Sequence, residues 1–301
     1  MSVSVIIPNY NNARFLERCL TSVVGDPAVC EVLVYDNAST DASIRTIEGF
    51  AHSKVRIIAG DRNIGASRAR HSAIAESKAP YLAFLDSDDF FEELTLSRCL
   101  TRAIAEDFDI CAVQTMLVDV DESQRRTFVP APPIMPGPAA VLKTLGRWQF
   151  DPRSGIIRKT TYQEAVEGFT FYGYSDDELL SRRMVRIAGR IGGAEGTYFY
   201  RLGPGQPSNE QIAMRLITHV RSLALASDCS GVRAQALLSA CRKHVVRTLA
   251  TLSMQKSDQK SLLALRQACK EASELAIPWR VFDLPYRVAM VVAGRILAAR
   301  T

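Results

Sequence analysis

The first 90 residues alternate between short apolar runs and stretches whose apolar positions have helical spacing. The runs have the length of buried strands, and the stretches between them repeat apolar residues every three or four positions. We therefore predict strands at Val3–Pro8, Glu31–Tyr35, Val55–Ala59 and Tyr81–Leu85, and helices at Ala13–Val24, Ala42–Phe50 and Ala66–Ser77. Strands and helices that alternate with short connections are typical of parallel strands with right-handed crossovers, so the pattern predicts a doubly wound α/β sheet.

The pattern changes along the rest of the chain. Its middle part predicts helices at Glu93–Glu106 and Glu178–Ala188, strands at Ile110–Val118, Gly155–Ile157 and Arg190–Tyr200, and an irregular crossing segment at the proline-rich Pro130–Pro138. From Glu210 onward the apolar spacing is helical throughout, which predicts an all-helical C-terminal appendage. We place the boundary between a domain over 1–205 and a helical region over 206–301.

Polar clusters follow three of the predicted strands, at Asn9-Tyr10, Asp36-Asn37 and Asp86-Ser87-Asp88-Asp89. In open α/β sheets ligands bind beyond the carboxyl ends of the strands. The three clusters are therefore expected to converge on one edge of the sheet and to form the functional site.

The last cluster places three carboxylates within four residues, directly after the apolar run that ends at Leu85. We expect the chain to leave the core at Asp86, because unpaired charge is costly to bury. The carboxylates repel one another unless a positive group lies among them, and a divalent cation with oxygen ligands is one candidate. A solvated acidic turn that caps the next helix is the other, and the motif alone does not decide between them.

A nucleotide is the ligand that such a sheet edge suggests, but the usual phosphate-binding loops are absent from the sequence. The first turn, Asn9-Tyr10-Asn11-Asn12, contains no glycine, and no G-x-x-x-x-G-K-[ST] motif occurs. A metal ion bridging Asp86, Asp88 and a diphosphate would neutralise the phosphate charge instead.

Charge and cysteine usage bear on the possible partners and the cellular location of the protein. The formal net charge is +5, and residues 201–301 hold 15 Lys and Arg against 6 Asp and Glu. This basic tail suggests either contact with an anionic surface or a helical region with solvated arginines. Seven scattered cysteines without a C-x-x-C pair, no signal-peptide pattern and no membrane-spanning apolar run lead us to expect a cytoplasmic protein.

Four motifs together resemble glycosyltransferase family 2 with the GT-A fold, which implies a doubly wound, mostly parallel mixed α/β sheet. They are Val5–Asn11, Val34–Asp41, Asn63–Arg70 and Asp86–Asp89, in the order and spacing of the family. The resemblance implies an inverting, metal-dependent transferase that moves a sugar from a nucleoside-diphosphate sugar, with a UDP-sugar favoured, to an acceptor hydroxyl. It further implies polysaccharide or glycoconjugate biosynthesis, a nucleotide-binding half over 1–110 and an acceptor-binding half over 111–205.

The resemblance also implies roles for individual residues on the donor side. Asp36 would accept the imide N–H of a uracil base, and an ionised carboxylate is suited to that because it only accepts hydrogen bonds. Mn²⁺ or Mg²⁺ would bind to Asp86 and Asp88. The remaining donor contacts are expected at the base, at the ribose and phosphates, and at the sugar, from Pro8, Tyr10, Asn63, Arg68, Ser87 and Asp89, with Arg68 preferred to Arg70.

On the acceptor side, the resemblance implies that the pair Asp176-Asp177 heads a helix, with Asp177 as the general base and Asp176 as a substrate contact. Helix capping by these carboxylates is the competing interpretation. Tyr198–Arg201 resembles an aromatic-arginine strand near the family's site, although the histidine that often follows it is absent.

The expected acceptor is a glycan or a lipid-linked molecule, and no nucleic acid is expected as a partner. Peripheral contact of the basic tail with the inner membrane face and dimerisation through its helices are competing hypotheses. Two other functions stay open. A sugar nucleotidyltransferase is disfavoured by the lack of a glycine-rich basic first loop, and a non-catalytic nucleotide-sugar or glycan-binding module is disfavoured by Asp86, Asp88 and Asp177.

Overall fold

The computed structural model describes residues 1–123, 125–144, 149–171 and 176–203. The strands in these ranges are Val3–Asn9 (β1), Val29–Asp36 (β2), Val55–Ala59 (β3), Tyr81–Phe84 (β4), Phe90–Phe91 (β5), Ile110–Val118 (β6), Arg125–Val129 (β7), Gly155–Arg158 (β8) and Ile191–Arg201 (β9). The helices are Ala13–Val24 (α1), Ser43–Phe50 (α2), Ala66–Ala75 (α3), Thr95–Glu106 (α4), Gly137–Val141 (α5), Lys159–Val166 (α6) and Asp176–Ile187 (α7), with a 3-10 turn at Leu142–Thr144.

The strands form one sheet in the order β3-β2-β1-β4-β8-β6-β9-β5, with β7 beside β6. Strands β1 to β4 are mutually parallel where they pair, and β6 is parallel to β9. Strand β8 is antiparallel to both of its neighbours, β4 and β6. Strands β6 and β9 therefore point the same way as β1 to β4, and the carboxyl ends of six strands meet at one edge. The predicted mostly parallel mixed α/β sheet is confirmed.

Helix α1 shows how the apolar pattern builds the core. Its residues Leu16, Cys19, Leu20 and Val23 recur at helical spacing and are fully buried in the apolar core, which also contains Val5 and Ile7 of β1. The side chains of β1 are buried throughout, as expected for a strand covered on both faces. This packing fixes the position of the loop between β1 and α1 at the carboxyl edge.

The glycine that begins β8 has a steric reason. A Cβ at Gly155 would lie 2.1 Å from the carbonyl oxygen of Cys111 on β6. Any larger residue would push the two strands apart, so β8 fits between β4 and β6 only with glycine there.

The segment after β4 differs from expectation. The chain does not leave the core at Asp86, because Ser87 and Asp89 are each only 2% exposed and β5 follows at once. Helix α4 also begins later than predicted, at Thr95, since Leu94 has a left-handed backbone with φ of 60°. The carboxylate motif is therefore held between two buried strands.

The chain divides into two compact units. The first comprises Met1–Ala140, Trp148–Gly173 and Met184–Pro204, and it contains the whole described sheet. The described residues of the second unit are 141–144 and 176–183. The predicted helical region over 206–301 lies outside the described residues, so its boundary stays a prediction. Among the described helices, none combines the length and the apolar character that crossing a bilayer demands.

Candidate functional site

The carboxyl ends of β1 and β2 meet at a buried carboxylate. Asn9 pairs with Asp36 in the sheet register, and its Nδ2 donates to Asp36 Oδ1 at 2.8 Å. The backbone N–H of Ser39 donates to the other oxygen, Oδ2, at 2.9 Å. Asp36 is 1% exposed, and because a carboxylate has about four acceptor positions, it keeps capacity for a further donor.

The neighbouring loops place the other residues expected around a nucleotide. Pro8 is buried in β1, whereas the side chain of Tyr10 is 46% exposed. Asn37 donates from Nδ2 to Asn63 Oδ1 at 3.0 Å and accepts at Oδ1 from the backbone N–H of Ile64 at 2.8 Å. The loop that carries Asn63 is thus fixed against the end of β2, close to Asp36.

The two arginines of α3 have different partners. Arg70 is 7% exposed and its Nη2 donates to Asp86 Oδ1 at 2.5 Å. Arg68 is exposed and its Nη2 donates to the carbonyl oxygen of Phe171 at 2.8 Å. Of these two arginines, Arg70 is the one that contacts a carboxylate of the motif. The predicted contact of Arg68 with the nucleotide-sugar donor stays a prediction.

The Arg70–Asp86 pair should contribute measurably to stability. We expect Arg70→Met to lower the free energy of unfolding by about 2 kcal/mol, the scale of a hydrogen bond between charged groups. Methionine keeps most of the aliphatic stem but loses the guanidinium, whose carbon lies 5.6 Å from the centroid of the Phe84 ring. Arg68→Met, on the exposed face of the same helix, is the matched control. It should change the free energy of unfolding by less than about 0.5 kcal/mol. Urea denaturation measures both, and equal losses would contradict the assignment.

Ser87 is a buried residue of the carboxylate motif. It is 2% exposed, and its Oγ accepts from Asn12 Nδ2 at 2.8 Å. The buried thiol of Cys19 on α1 donates to the carbonyl oxygen of Asp86 at 3.6 Å. Burial and the charges of Asp89, Asp88 and Asp86 raise the pKa of this thiol, which keeps it protonated as a donor. The hydroxyl of Ser87 thus has a partner within the fold, and its predicted contact with the nucleotide sugar stays a prediction.

Asp86 and Asp88 are the accessible carboxylates of the motif. The side chain of Asp86 is 38% exposed, and Asp88 is half-buried. Burial first and the charge of Asp86 second raise the pKa of Asp88, while the positive charge of Arg201 opposes the shift. Asp88 is therefore a carboxylate whose ionised form would gain from a nearby cation.

Asp89 has a different environment, although it is adjacent in sequence. It is 2% exposed, and its Oδ2 accepts from the Tyr198 hydroxyl at 2.5 Å while its Oδ1 accepts from the Arg201 backbone N–H at 2.7 Å. Burial, followed by the charges of Asp86 and Asp88, raises the pKa of Asp89 well above its ordinary value. These contacts satisfy the carboxyl inside the core and explain why the chain does not emerge at Asp86. The predicted contact of Asp89 with a donor stays a prediction.

The residues present suit a divalent cation that takes only some of its ligands from the protein and the others from the substrate. No group of three or more His, Cys, Asp or Glu side chains suited to a metal occurs in the described part of the chain. Asp86 and Asp88 supply two carboxylates that are close enough for their charges to interact. Mg²⁺ typically binds proteins through one or two carboxylates together with substrate phosphates, so this pair suits such an ion.

The predicted base lies in the second unit. Asp176 and Asp177 occupy the first turn of α7, which begins two residues earlier than predicted. Asp176 is 3% exposed, and Asp177 is half-buried. The N-terminus of a helix stabilises negative charge, which favours the ionised form that a base needs. The position is also that of a capping residue, so the catalytic role of Asp177 stays a prediction.

Two residues that hold the site together were not assigned a role by the sequence. Asn9 donates to Asp36, and Asn12 donates to Ser87. Their signal in the sequence is their place at the junction of β1 and the polar loop that follows it, since Asn9 is the last residue of β1 and Asn12 lies in that loop. Amide side chains in such a loop can bridge neighbouring strand ends, which the structure shows for both residues.

Comparisons with known proteins agree with this geometry. The sequence profile described as Glycosyl transferase family 2 matches residues 4–178, more than half of the chain. The succinoglycan biosynthesis protein ExoO of Rhizobium meliloti is 32% identical over 127 residues, which cover 42% of this chain and 36% of that protein. The chondroitin synthase of Escherichia coli is 33% identical over 122 residues, covering 40% of this chain and 18% of that protein. The chain spans less than two thirds of the length of these relatives.

Solved structures show the same fold. Residues 1–349 of Staphylococcus aureus TarS superpose with a TM-score of 0.72 at 17% identity, covering 99% of this chain and 90% of that one. TarS has also been solved in complex with UDP-GlcNAc. The mannosyltransferase PcManGT of Pyrobaculum calidifontis, in complex with GDP-Man and Mn²⁺, gives a TM-score of 0.54 at 17% identity, covering 99% of this chain and 85% of that one. The sheet is therefore that of a GT-A fold.

Proposed function

The chain belongs to glycosyltransferase family 2, and from this premise we propose that it transfers a sugar from a UDP-sugar to an acceptor hydroxyl with inversion. The observation that carries the proposal is the common edge of the sheet, where Asp36 ends β2 and where Asp86 and Asp88 follow the parallel strand β4. A recognition group for a base and a pair of carboxylates for a metal-bound diphosphate then lie on the same side of the sheet.

The proposed binding of the nucleotide sugar rests on Asp36. Its buried carboxylate is oriented by Asn9 and Ser39 and accepts further hydrogen bonds, as the imide N–H of uracil requires. Tyr10, exposed beside it, offers a ring face to a base. A nucleotide-sugar donor is in keeping with the UDP-GlcNAc complex of TarS, a protein of the same fold.

Asp36→Asn tests the base subsite. The amide has almost the same shape and still accepts from Asn9, but it loses the charge and half of the acceptor capacity. We expect the affinity for UDP to fall about tenfold or more, because a hydrogen bond to a charged group contributes about 1.5–3 kcal/mol. Titration calorimetry with UDP measures the change. Unaltered UDP affinity in a folded variant would exclude Asp36 as the base contact.

Asp88 is proposed as the main carboxylate for Mn²⁺ or Mg²⁺, with Asp86 beside it. The Arg70 guanidinium contacts Asp86, and Asp89 already has two partners inside the fold, the Tyr198 hydroxyl and the Arg201 backbone N–H. When bound, the ion supplies Lewis-acid stabilisation to the departing nucleoside diphosphate. The Mn²⁺ in the PcManGT complex supports this assignment by analogy of fold.

Asp177 is proposed to accept the proton of the acceptor hydroxyl. As the acceptor oxygen forms a bond to C1 of the sugar, the bond between C1 and the diphosphate oxygen breaks on the opposite face. The proton passes to the Asp177 carboxylate, and the nucleoside diphosphate leaves with the bonding electron pair. Direct displacement of this kind inverts the configuration at C1, and the start of α7 favours the ionised base that it requires.

A glycan or lipid-linked acceptor in polysaccharide biosynthesis is proposed from the relatives, which include a succinoglycan biosynthesis protein and a chondroitin synthase. The hypotheses on a cytoplasmic location, membrane contact and dimerisation rest on residues 206–301 and on composition, and stay predictions. Flotation with anionic liposomes tests membrane contact, and equal recovery with and without residues 210–301 would refute it.

A panel of nucleotide sugars tests the proposed function. A ligand that binds the folded state raises its stability by RT ln(1 + [L]/Kd), about 2.7 kcal/mol at a hundredfold excess over Kd. We expect a UDP-sugar with Mn²⁺ to raise the melting temperature more than the other nucleotide sugars. Slow donor hydrolysis under the same conditions distinguishes an enzyme from a binding module, which would bind without releasing UDP.

A further inference from the structure

The buried carboxyl of Asp89 joins the carboxylate motif to the end of β9. The Tyr198 hydroxyl and the Arg201 backbone N–H occupy its two oxygens, at 2.5 and 2.7 Å. Tyr198 is 6% exposed, and its ring packs edge-on against Phe91 with the centroids 5.0 Å apart. Burial raises the pKa of the Tyr198 hydroxyl well above its ordinary value, so it keeps its proton. Tyr198 can therefore act as a permanent donor to Asp89.

Arg201 adds a second link to the same turn. Its Nε donates to the carbonyl oxygen of Asp88 at 2.8 Å. The rest of the guanidinium is held by the turn between β6 and β7, where Nη1 donates to the Val120 carbonyl oxygen at 2.7 Å and Nη2 pairs with Glu122 Oε1 at 2.8 Å. Since Arg201 is 5% exposed, this connection is an internal part of the fold.

These contacts enclose the short turn that presents the accessible carboxylates. The Asp89 backbone N–H donates to the Asp86 carbonyl oxygen at 3.0 Å, which closes the turn on itself. The side chain of Asp89 and the carbonyl of Asp88 are then fixed from outside by Tyr198 and Arg201. The backbone of the turn at Asp88 is consequently held by a strand more than 100 residues later in the chain.

We propose that Tyr198 and Arg201 are positioning residues, which act through Asp89 and the Asp88 carbonyl to hold Asp88 in the geometry that binds the metal–diphosphate complex. The inference rests on the proposed function, and it assigns Asp89 to the support of the site. Loss of the Tyr198 hydroxyl leaves one buried carboxyl oxygen without its donor, and the turn has to shift to satisfy it. A ligand displaced in this way binds metal less well, as happens when partners of metal ligands are removed.

Tyr198→Phe is the discriminating variant, because it removes only the hydroxyl and keeps the ring against Phe91. The matched control is Tyr81→Phe, another buried tyrosine of the sheet, which lies at the amino end of β4. The measurement is Mn²⁺ affinity in the presence of saturating UDP, followed by the electron paramagnetic resonance of free Mn²⁺. We expect about a tenfold loss in Tyr198→Phe, which corresponds to about 1.4 kcal/mol, and no change in Tyr81→Phe.

The outcomes separate this inference from the proposed function. Wild-type protein that takes up no Mn²⁺ with UDP would overturn both. Wild-type uptake with undiminished affinity in Tyr198→Phe would leave the proposed function standing and overturn the positioning role, even if the melting temperature falls. If Tyr198→Phe fails to fold, Arg201→Lys replaces it, because lysine keeps the charge but loses the forked contacts. A tenfold weaker Mn²⁺ affinity in that variant supports the inference, and wild-type affinity overturns it.

Discussion

Asp177→Asn is expected to lower kcat about a thousandfold and to leave UDP affinity nearly unchanged. A positioned general base contributes about 10²- to 10⁴-fold to the rate, and the amide cannot accept the proton. Stopped-time assays of UDP release, together with calorimetric UDP binding, separate the catalytic effect from any effect on the donor site.

The control for this variant is Glu164→Gln, which removes an exposed carboxylate from α6. It should retain the full rate. If Asp177→Asn kept more than about a tenth of the wild-type kcat, the capping interpretation would be preferred, since capping by asparagine is about as good as capping by aspartate.

Asp88→Asn is expected to reduce transfer about a hundredfold or more and, at the same time, to maintain or raise the melting temperature. The loss follows from the weaker metal site, whose Lewis-acid effect amounts to several kcal/mol of transition-state stabilisation. The stability gain follows from the raised pKa of Asp88, which is caused by burial and by the charge of Asp86. A carboxyl with a raised pKa costs stability as the pH rises above its unfolded-state value, and asparagine removes that cost at neutral pH.

Glu93→Gln is the matched control, because Glu93 is exposed and lies just beyond β5. Its activity and melting temperature should match those of the wild type. A variant Asp88→Asn with full activity at low Mn²⁺ would sink the metal assignment. A large fall in its melting temperature would show instead that the ionised side chain is needed for the fold.

The first half of the fold could be predicted because its periodicity is strong. The four predicted strands and the three helices between them all occur, with ends shifted by a few residues. Strand β5 has only two residues, Phe90 and Phe91, and such a short run carries no periodicity. The antiparallel insertion of β8 depends on Gly155 fitting beside Cys111, which is a tertiary contact that local patterns do not reveal.

In the candidate site, too, some features could be predicted from the sequence, whereas others depend on tertiary contacts. The convergence of Asp36 and Asp88 followed from strand order and is confirmed at the shared edge. The distinct environments of Asp88 and Asp89 could not be predicted, because Asp89 is buried by Tyr198, 109 residues away. Arg68 and Arg70 are likewise alike in sequence. Their difference arises from the face of α3 that packs on the sheet, where Ala69, Arg70 and Ala73 are buried.

Calorimetric titration of the wild-type protein with UDP, in Mn²⁺ and again in excess EDTA, tests the central claim most directly. The claim is that carboxylates at one edge of the sheet bind a nucleoside diphosphate through a divalent cation. We predict UDP binding in Mn²⁺ that weakens at least about tenfold in EDTA, since the diphosphate then faces Asp86 and Asp88 without a bridging charge. Equal UDP affinity under both conditions would contradict the account.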